Sequence, residues 1–164
     1  MATYDYAPGA MAENTKMFGY SEGRGCFIVK RKFNVATVIA WNATLTAAAK
    51  ITSADVFKVI GVPDDTLFMN VSGMKIITAF GACTDIDMGR AGGDEIIDGL
   101  NPAGATAGNH LITVHGDDWG TDTLCGYVFV AADTIDITFK ADETTGHALI
   151  WAVLFDVSDN VGED

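Results

Sequence analysis

The sequence predicts an all-β protein: a jelly-roll-type antiparallel β-sandwich preceded by an extended N-terminal arm. The 164-residue chain has 13 Val, 13 Ile and 17 Thr but only 7 Leu, and β-branched residues suit strands better than helices. It also has 17 Asp against 5 Glu, together with 18 Gly, which is typical of turns. Short apolar runs recur between turn signals along most of the chain. A helical bundle and a parallel α/β fold are therefore disfavoured.

The arm is predicted to cover residues 1–32 and the sandwich body residues 33–164. The arm has neither a strand nor a helix period, so we expect it to become ordered against a partner. Aromatic side chains on an extended segment can anchor in pockets, and adjacent positive charge steers binding toward an acidic surface. The run 30–32 can equally be a solvated strand end. The candidate contact residues of the arm are Tyr4, Tyr6, Phe18, Tyr20, Arg24, Lys30, Arg31 and Lys32.

The first half of the body is predicted to contain three strands. The run 33–41 is a strand candidate, and 43–53 is either a short helix or a second extended piece. The segment 55–62 is a strand that ends at Pro63. A long strand over 66–80 is expected to break or bulge at Gly73.

The second half continues with shorter pieces. A Gly-rich turn separates the first two of them, and a loop over 101–108 precedes the others. The predicted strands are 84–88, 95–99, 110–114 and 123–131.

The last two predicted strands carry the clearest patterns. In 134–140 apolar and polar residues alternate, which predicts one buried and one wet face. In 147–157 both faces are apolar until Asp156. Such a strand needs a cover on its second face, and a sister subunit is the economical candidate. We place Ile150 and Leu154 on the outer face and expect them to contact that subunit.

The net charge of −12 is unevenly distributed. Residues 1–82 hold 8 basic and 6 acidic side chains, whereas 83–164 hold 2 basic and 16 acidic ones. Net acidity disfavours sequence-independent binding of nucleic acid. The N-terminal part, which has a small net positive charge, could instead be attracted to an acidic neighbour. Alternatively, the acidity of the whole chain could simply maintain solubility.

The sequence also predicts where the protein is synthesised and whether it enters a membrane. The longest uninterrupted apolar run, 148–155, is far shorter than the roughly 20 residues of a membrane helix. The opening MATYDYAPGA lacks the basic and apolar regions of a secretory signal. We expect a soluble protein synthesised in a cytoplasm, with no membrane partner. Its three cysteines, Cys26, Cys83 and Cys125, are expected to be free thiols.

One short match to a catalytic motif is rejected. Residues 19–23 read G-Y-S-E-G and fit the G-x-S-x-G nucleophile elbow. That elbow requires a strand before the serine and a helix after it, whereas here Gly25 follows closely. We therefore expect no catalytic residue.

Metal and glycosidase sites have weak support. His110 and His115 are five residues apart and would lie on opposite faces of a strand, and His147 is distant. The aspartates could supply oxygen ligands to calcium, but they lack EF-hand spacing and also suit solvated turns. Paired carboxylates could serve glycoside hydrolysis, but no cleft is indicated. We expect no metal or cofactor. The carboxylates considered are Asp85, Asp87, Asp94, Glu95, Asp98, Asp117, Asp118 and Asp122.

A family resemblance covers about residues 33–158. It rests on ADVFKVIGVP (54–63), TLFMNV with KIITAF (66–80), DIDMG before a Gly-rich acidic turn, YVFVAADTIDIT (127–138) and WAVLFDV (151–157). The chain resembles the capsid decoration, or cement, proteins of tailed bacteriophages, which have a jelly-roll body. The resemblance implies a non-enzymatic virion protein on the capsid surface, commonly a homotrimer, bound to the major capsid protein. It carries over no catalytic residue.

Two other functions remain open from the residues. Within structural proteins, a tail or fibre component is the alternative. From another class, a carbohydrate-binding jelly roll would use aromatic stacking platforms. The candidate platforms are Trp41, Trp119 and Tyr127.

Overall fold

The computed structural model describes residues 3–5, 16–18, 26–46, 50–69, 72–90, 96–103, 111–113 and 127–157. Within these ranges the chain forms twelve strands and one helix, α1 (Val35–Thr46). The strands are β1 (Thr3–Asp5), β2 (Lys16–Phe18), β3 (Cys26–Asn34), β4 (Val56–Val62), β5 (Thr66–Phe68), β6 (Gly73–Thr78), β7 (Ile86–Arg90), β8 (Ile97–Leu100), β9 (Leu111–Thr113), β10 (Tyr127–Phe129), β11 (Asp133–Phe139) and β12 (His147–Asp156).

The strands form two sheets in a sandwich-like arrangement. The smaller sheet has the order β1-β4-β11-β7-β8. The larger sheet has the order β10-β5-β12-β3-β2, with β6 also paired to β12 and β9 paired to β6. The described pairs are antiparallel except β1 on β4, which is parallel. The predicted all-β sandwich is confirmed, while jelly-roll connectivity stays a prediction.

Aromatic rings join the two sheets in the core. Phe33 of the larger sheet lies with its ring centroid 5.4 Å from that of Phe57 and 5.7 Å from that of Phe139, both in the smaller sheet. The rings of Phe57 and Phe139 are 5.8 Å apart in an edge-on arrangement. All three side chains are fully buried. Burying each stabilises the fold by roughly 1.5–3 kcal/mol relative to exposure, so this cluster is a main link between the sheets.

The strand expected over 33–41 is wrong, because β3 ends at Asn34 and α1 begins at Val35. Asn34 Oδ1 accepts a hydrogen bond from the Thr37 N–H at 3.2 Å, which caps the helix N-terminus. Val35 and Val38 are fully buried and Ile39 packs against the same core. This spacing of three and four residues marks one helix face, and it was present in the sequence. The helical alternative for 43–53 is confirmed only as far as Thr46.

The boundary of the arm at residue 32 is also wrong. β3 begins at Cys26 and pairs with β12 over nine consecutive positions. Phe27 and Val29 are buried, so this segment belongs to the body. Earlier in the chain, β1 pairs with β4 and β2 pairs with β3. The other residues of 1–25 lie outside the described ranges.

The predicted interruption of the strand over 66–80 is confirmed. β5 and β6 lie end to end along the same edge of β12. Ser72, just before β6, is fully buried and its Oγ accepts a hydrogen bond from the Val153 N–H at 2.8 Å. The Val153 carbonyl accepts one from the Met69 N–H at 2.9 Å. These bonds satisfy the β12 backbone where the ladder is broken.

The wet face predicted for 134–140 is wrong. Ile135, Ile137 and Phe139 face the core as expected, but Asp136 and Thr138 on the other face are buried as well. β11 is the middle strand of its sheet, and Thr138 lies opposite the buried Asp87. Neighbouring side chains on this face cover one another, so its polar residues are not solvated.

The other predicted strands overlap β4, β7, β8, β9 and β10, and β4 ends at Val62 as predicted. Among the described residues, no helix has the length and apolar character needed to cross a membrane.

Candidate interaction surface

Strand β12 has two different apolar faces. Ala148, Ile150, Ala152 and Leu154 are fully buried within the single chain. The alternate residues from Leu149 to Phe155 are partly exposed. The expectation that Ile150 and Leu154 lie on the outer face is therefore wrong. On the inner side of β12, small and large residues alternate and pack against the core. The bulkier alternate residues of the strand point outward.

The outward residues of β12 are flanked by lysines at one end of the strand. Leu149 lies opposite Lys32 on β3 and opposite Lys75 on β6. Trp151 lies opposite Lys30 on β3 and opposite Gly73, which has no side chain. Directly opposed residues of antiparallel strands project to the same side of a sheet. These positions together form the basic half of the outer face of the larger sheet.

The other half of this outer face is apolar. Val153 lies opposite Ile28, and Phe155 lies between Cys26 and Leu67. Leu67 in turn lies opposite Val128 on β10. Val128 is 41% exposed, among the most exposed of the described large apolar side chains. The register thus produces a transverse apolar row, which we call the apolar half.

The charge of this face contrasts with that of the molecule. The outward-facing positions of β3, β5, β6, β10 and β12 that the structure describes include no Asp or Glu. Lys30 and Lys32 are exposed, and Lys75 is half-buried. The whole chain has a net charge of −12. The outer face is therefore a basic and apolar patch on an acidic protein, a combination suited to contact with an acidic surface.

The predicted arm residues are only partly brought together. Lys30 and Lys32 share the outer face, but Arg31 between them points to the inner side, where it lies opposite Ile150. Its Nε is buried and has no hydrogen-bond partner among the described residues. Tyr4 pairs along the backbone with Phe57, and Phe18 pairs with Cys26. Tyr6, Tyr20 and Arg24 lie outside the described residues.

The aspartates near β7 include one that forms an ion pair with a lysine, and they do not form a metal site among the described residues. Asp87 accepts a hydrogen bond from the Gly99 N–H at 3.1 Å and lies 2.5 Å from Lys140 Nζ. Partial burial raises the pKa of Asp85, and the neighbouring charges of Asp87 and Asp98 raise it further. Among the described residues, no three His, Cys, Asp or Glu side chains are placed to hold a metal ion. The remaining carboxylates considered for calcium, Asp94, Glu95, Asp117, Asp118 and Asp122, lie outside the described residues.

Other predicted chemistry finds little support. The G-x-S-x-G match, His110, His115, Cys125 and Trp119 lie outside the described residues. His147 is at the start of β12, opposite Asn34. Tyr127 is partly buried against the core, and its ring lies 4.0 Å below the Arg90 guanidinium, whose Nη1 also donates to the Tyr127 hydroxyl. Because Tyr127 already stacks on Arg90 and Phe129, it is not a free stacking platform.

A buried carboxylate that sequence reasoning missed is Glu143, in the turn before β12. Its Oε2 accepts hydrogen bonds from the N–H groups of Ala82 and Cys83, both at 2.9 Å. Its Oε1 accepts from those of Thr144 and Thr145, at 2.7 and 2.9 Å. Burial raises the pKa of Glu143, but the four backbone donors outweigh burial and hold that pKa below its ordinary value. Glu143 therefore joins two loops and has a structural role.

Comparison with known proteins yields a likeness of fold. No protein-family model matches the chain, and no curated protein matches it. Among solved structures, a chain of the cyanophage Pam1 capsid asymmetric unit is similar. The two are 14% identical with a TM-score of 0.54, and the match covers 93% of this chain and 99% of that one. The protein therefore is a β-sandwich whose fold also occurs in a phage capsid.

Proposed function

We propose that this chain is a non-enzymatic structural protein of a phage virion, which decorates and stabilises the capsid by binding the major capsid shell. The observation that carries the proposal is the fold likeness to a chain of the cyanophage Pam1 capsid asymmetric unit, which extends over nearly the full length of both chains. The resemblance of the strand sequences to phage decoration proteins supports the same function.

The physical character of the molecule suits adhesion. An aromatic core joins two sheets into a stiff body. One sheet presents an outer face with partly exposed apolar side chains, flanked by lysines. On a shell, many copies each contribute a modest binding energy, and linked copies gain avidity without new contacts. A homotrimer on the capsid surface would multiply these contacts, and it would form after synthesis in the host cytoplasm.

The proposal is tested on virions of the phage that encodes the chain. Purified particles should contain the protein by mass spectrometry at a copy number comparable to the shell subunits. Cryo-electron microscopy should then show the sandwich on the outside of the shell. Density restricted to the tail or fibres would replace this proposal with the tail alternative. Absence from purified particles would refute a virion function.

Reconstitution provides a second test. Capsids from a deletion phage should bind the added protein and withstand higher temperature than bare capsids, because ligand binding stabilises the bound form. Bare and decorated capsids that break at the same temperature would contradict the stabilising role.

A further inference from the structure

We propose that the outer face of the larger sheet is the shell-binding surface, and that its partner is an acidic protein surface carrying an apolar ridge. This inference rests on the proposed function and adds the surface and the chemistry of its partner. The apolar half of the face would cover the ridge, and the three lysines of the basic half would pair with carboxylates beside it.

The state of the lysines supports an acidic partner. Lys50 and Lys140 each form an ion pair with an aspartate, at 2.5 Å in both cases. Lys30, Lys32 and Lys75 have no ion pair within the part of the chain that the structure describes. Alternate residues of a strand are about 6.6 Å apart, so Lys30 and Lys32 place two positive charges close together on β3, beside the outward residues of β12. Unpaired like charges at this density favour an incoming anion.

Trp151 is the expected anchor of the contact. It is partly exposed at the centre of the face, with Lys30 on one side and Gly73 on the other. Gly73 adds no side chain to this part of the face. Tryptophan is among the residue types enriched in binding hot spots.

Charge favours this partner over the two other macromolecular occupants. In two copies joined face to face, a two-fold axis parallel to β12 would set lysines against lysines, and an axis perpendicular to β12 would set them against the apolar half. Neither arrangement gives the lysines a carboxylate. A nucleic acid would meet three lysines but also the field of a chain with net charge −12. An acidic protein surface meets the same field, but it carries far less charge than a duplex, which has one negative charge per ~1.7 Å of its axis. It also has apolar groups to cover the apolar half.

The test uses full-length protein and capsids lacking it, with binding measured by cosedimentation. The variants are Lys30→Gln with Lys32→Gln, and separately Trp151→Thr. We expect the double lysine variant to bind roughly tenfold more weakly and the tryptophan variant roughly thirtyfold. Lys50→Gln is the matched control, because it removes one exposed lysine outside this face and should bind as the wild type does. Thermal melting of each variant establishes that it is folded.

Salt dependence separates the charge contribution from the apolar one. Wild-type affinity should fall between about 0.05 M and about 0.5 M NaCl, where the screening length shortens severalfold. The lysine variant should lose most of this dependence, whereas Trp151→Thr should keep it.

The outcomes distinguish the two levels of the proposal. Failure of the wild type to bind capsids would overturn the proposed function. Equal binding by wild type and folded variants would overturn only this inference. The inference would also be wrong if the same variants abolished self-association of the free protein, or if the wild type bound a DNA duplex in a lysine-dependent manner.

Discussion

At the scale of single residues, the loop before β12 depends on Glu143 and Gly146. Glu143 is 1% exposed yet ionised, because four backbone N–H groups surround its carboxylate. Gly146 has φ +122°, and a Cβ there would lie 2.6 Å from the ring of Phe80. Both features hold the turn that leads into the central strand of the larger sheet.

Replacing Glu143 with Gln should destabilise the fold by about 2–3 kcal/mol. The Gln side chain keeps one acceptor oxygen, but its NH2 group takes the place of the second oxygen and cannot accept from the two backbone N–H groups that point at it. The free energy of unfolding, measured by chemical denaturation at pH 7, checks this. Asp142→Asn is the control, since its ion pair with Lys50 is half-exposed and screened by solvent, so its loss should affect stability far less.

The same carboxylate predicts a pH dependence. The folded pKa of Glu143 is below its ordinary value, so its contribution to stability is fully present above the unfolded pKa of about 4.3. The contribution is lost as the pH falls through the folded pKa. The difference in melting temperature between wild type and Glu143→Gln should therefore shrink as the pH is lowered below about 4. A constant difference down to pH ~2 would contradict this assignment.

Gly146→Ala should destabilise the protein by about 2–4 kcal/mol, through both the positive φ and the clash with Phe80. Gly61→Ala is the matched control, because nothing lies within 4 Å of a Cβ placed at Gly61. Its effect on the free energy of unfolding should be within about 0.5 kcal/mol of zero. Equal effects of the two substitutions would refute the steric argument.

At the scale of elements, β12 organises the larger sheet. It pairs with β3 from His147 to Phe155 on one edge, and with β5 and β6 in succession on the other. Its inner residues pack into the core while its outer residues form the stripe of the interaction surface. One strand therefore supports both the fold and the proposed contact.

The two faces of β12 should respond differently to substitution. Ile150→Ala should cost about 2–5 kcal/mol, because it leaves a cavity in the core of the single chain. Val153→Thr, on the outer face, should change the free energy of unfolding by less than about 1 kcal/mol. Denaturation of the two variants over a wide range of protein concentrations would show whether the Ile150 effect is independent of any assembly. If Ile150→Ala destabilised only the assembled protein, Ile150 would contact a sister subunit, as the sequence predicts.

At the scale of the whole molecule, the earliest described segments lie at sheet edges. β1 is the outermost described strand of the smaller sheet and β2 that of the larger one. The hypothesis that the arm makes contacts with a neighbouring subunit or the capsid therefore applies to residues 1–25, while 26–32 belong to the body.

Deleting residues 1–25 should leave the protein folded, with a melting temperature lower by about 2–4 °C at most, since two short edge pairings are lost. Attachment to capsids should weaken if the arm contacts them, which cosedimentation of the truncated protein would measure. If the truncated protein attached to capsids as tightly as the full chain, the arm would do no more than cover the edges of the two sheets. Loss of folding would instead make residues 1–25 part of the body.

Composition and local turn signals were enough to predict the all-β class and the approximate positions of most strands. β-Branched residues and turn residues act locally, so β4, β11, β12 and the break before β6 could be predicted. The helix α1 was predictable too, because the Asn34 cap and the Val35, Val38, Ile39 spacing are local signals. The run 33–41 was instead predicted to be a strand.

Which face of each strand is covered depends on how the two sheets pack, and no local pattern predicted it. β12 is apolar on both sides, and its inner side became clear only from the packing of the second sheet. The polar face of β11 is buried because neighbouring strands put their own side chains beside it. Lys30, Lys32 and Lys75 come together because strands distant in sequence pair in register. Such proximity depends on pairing between strands, which no local pattern encodes.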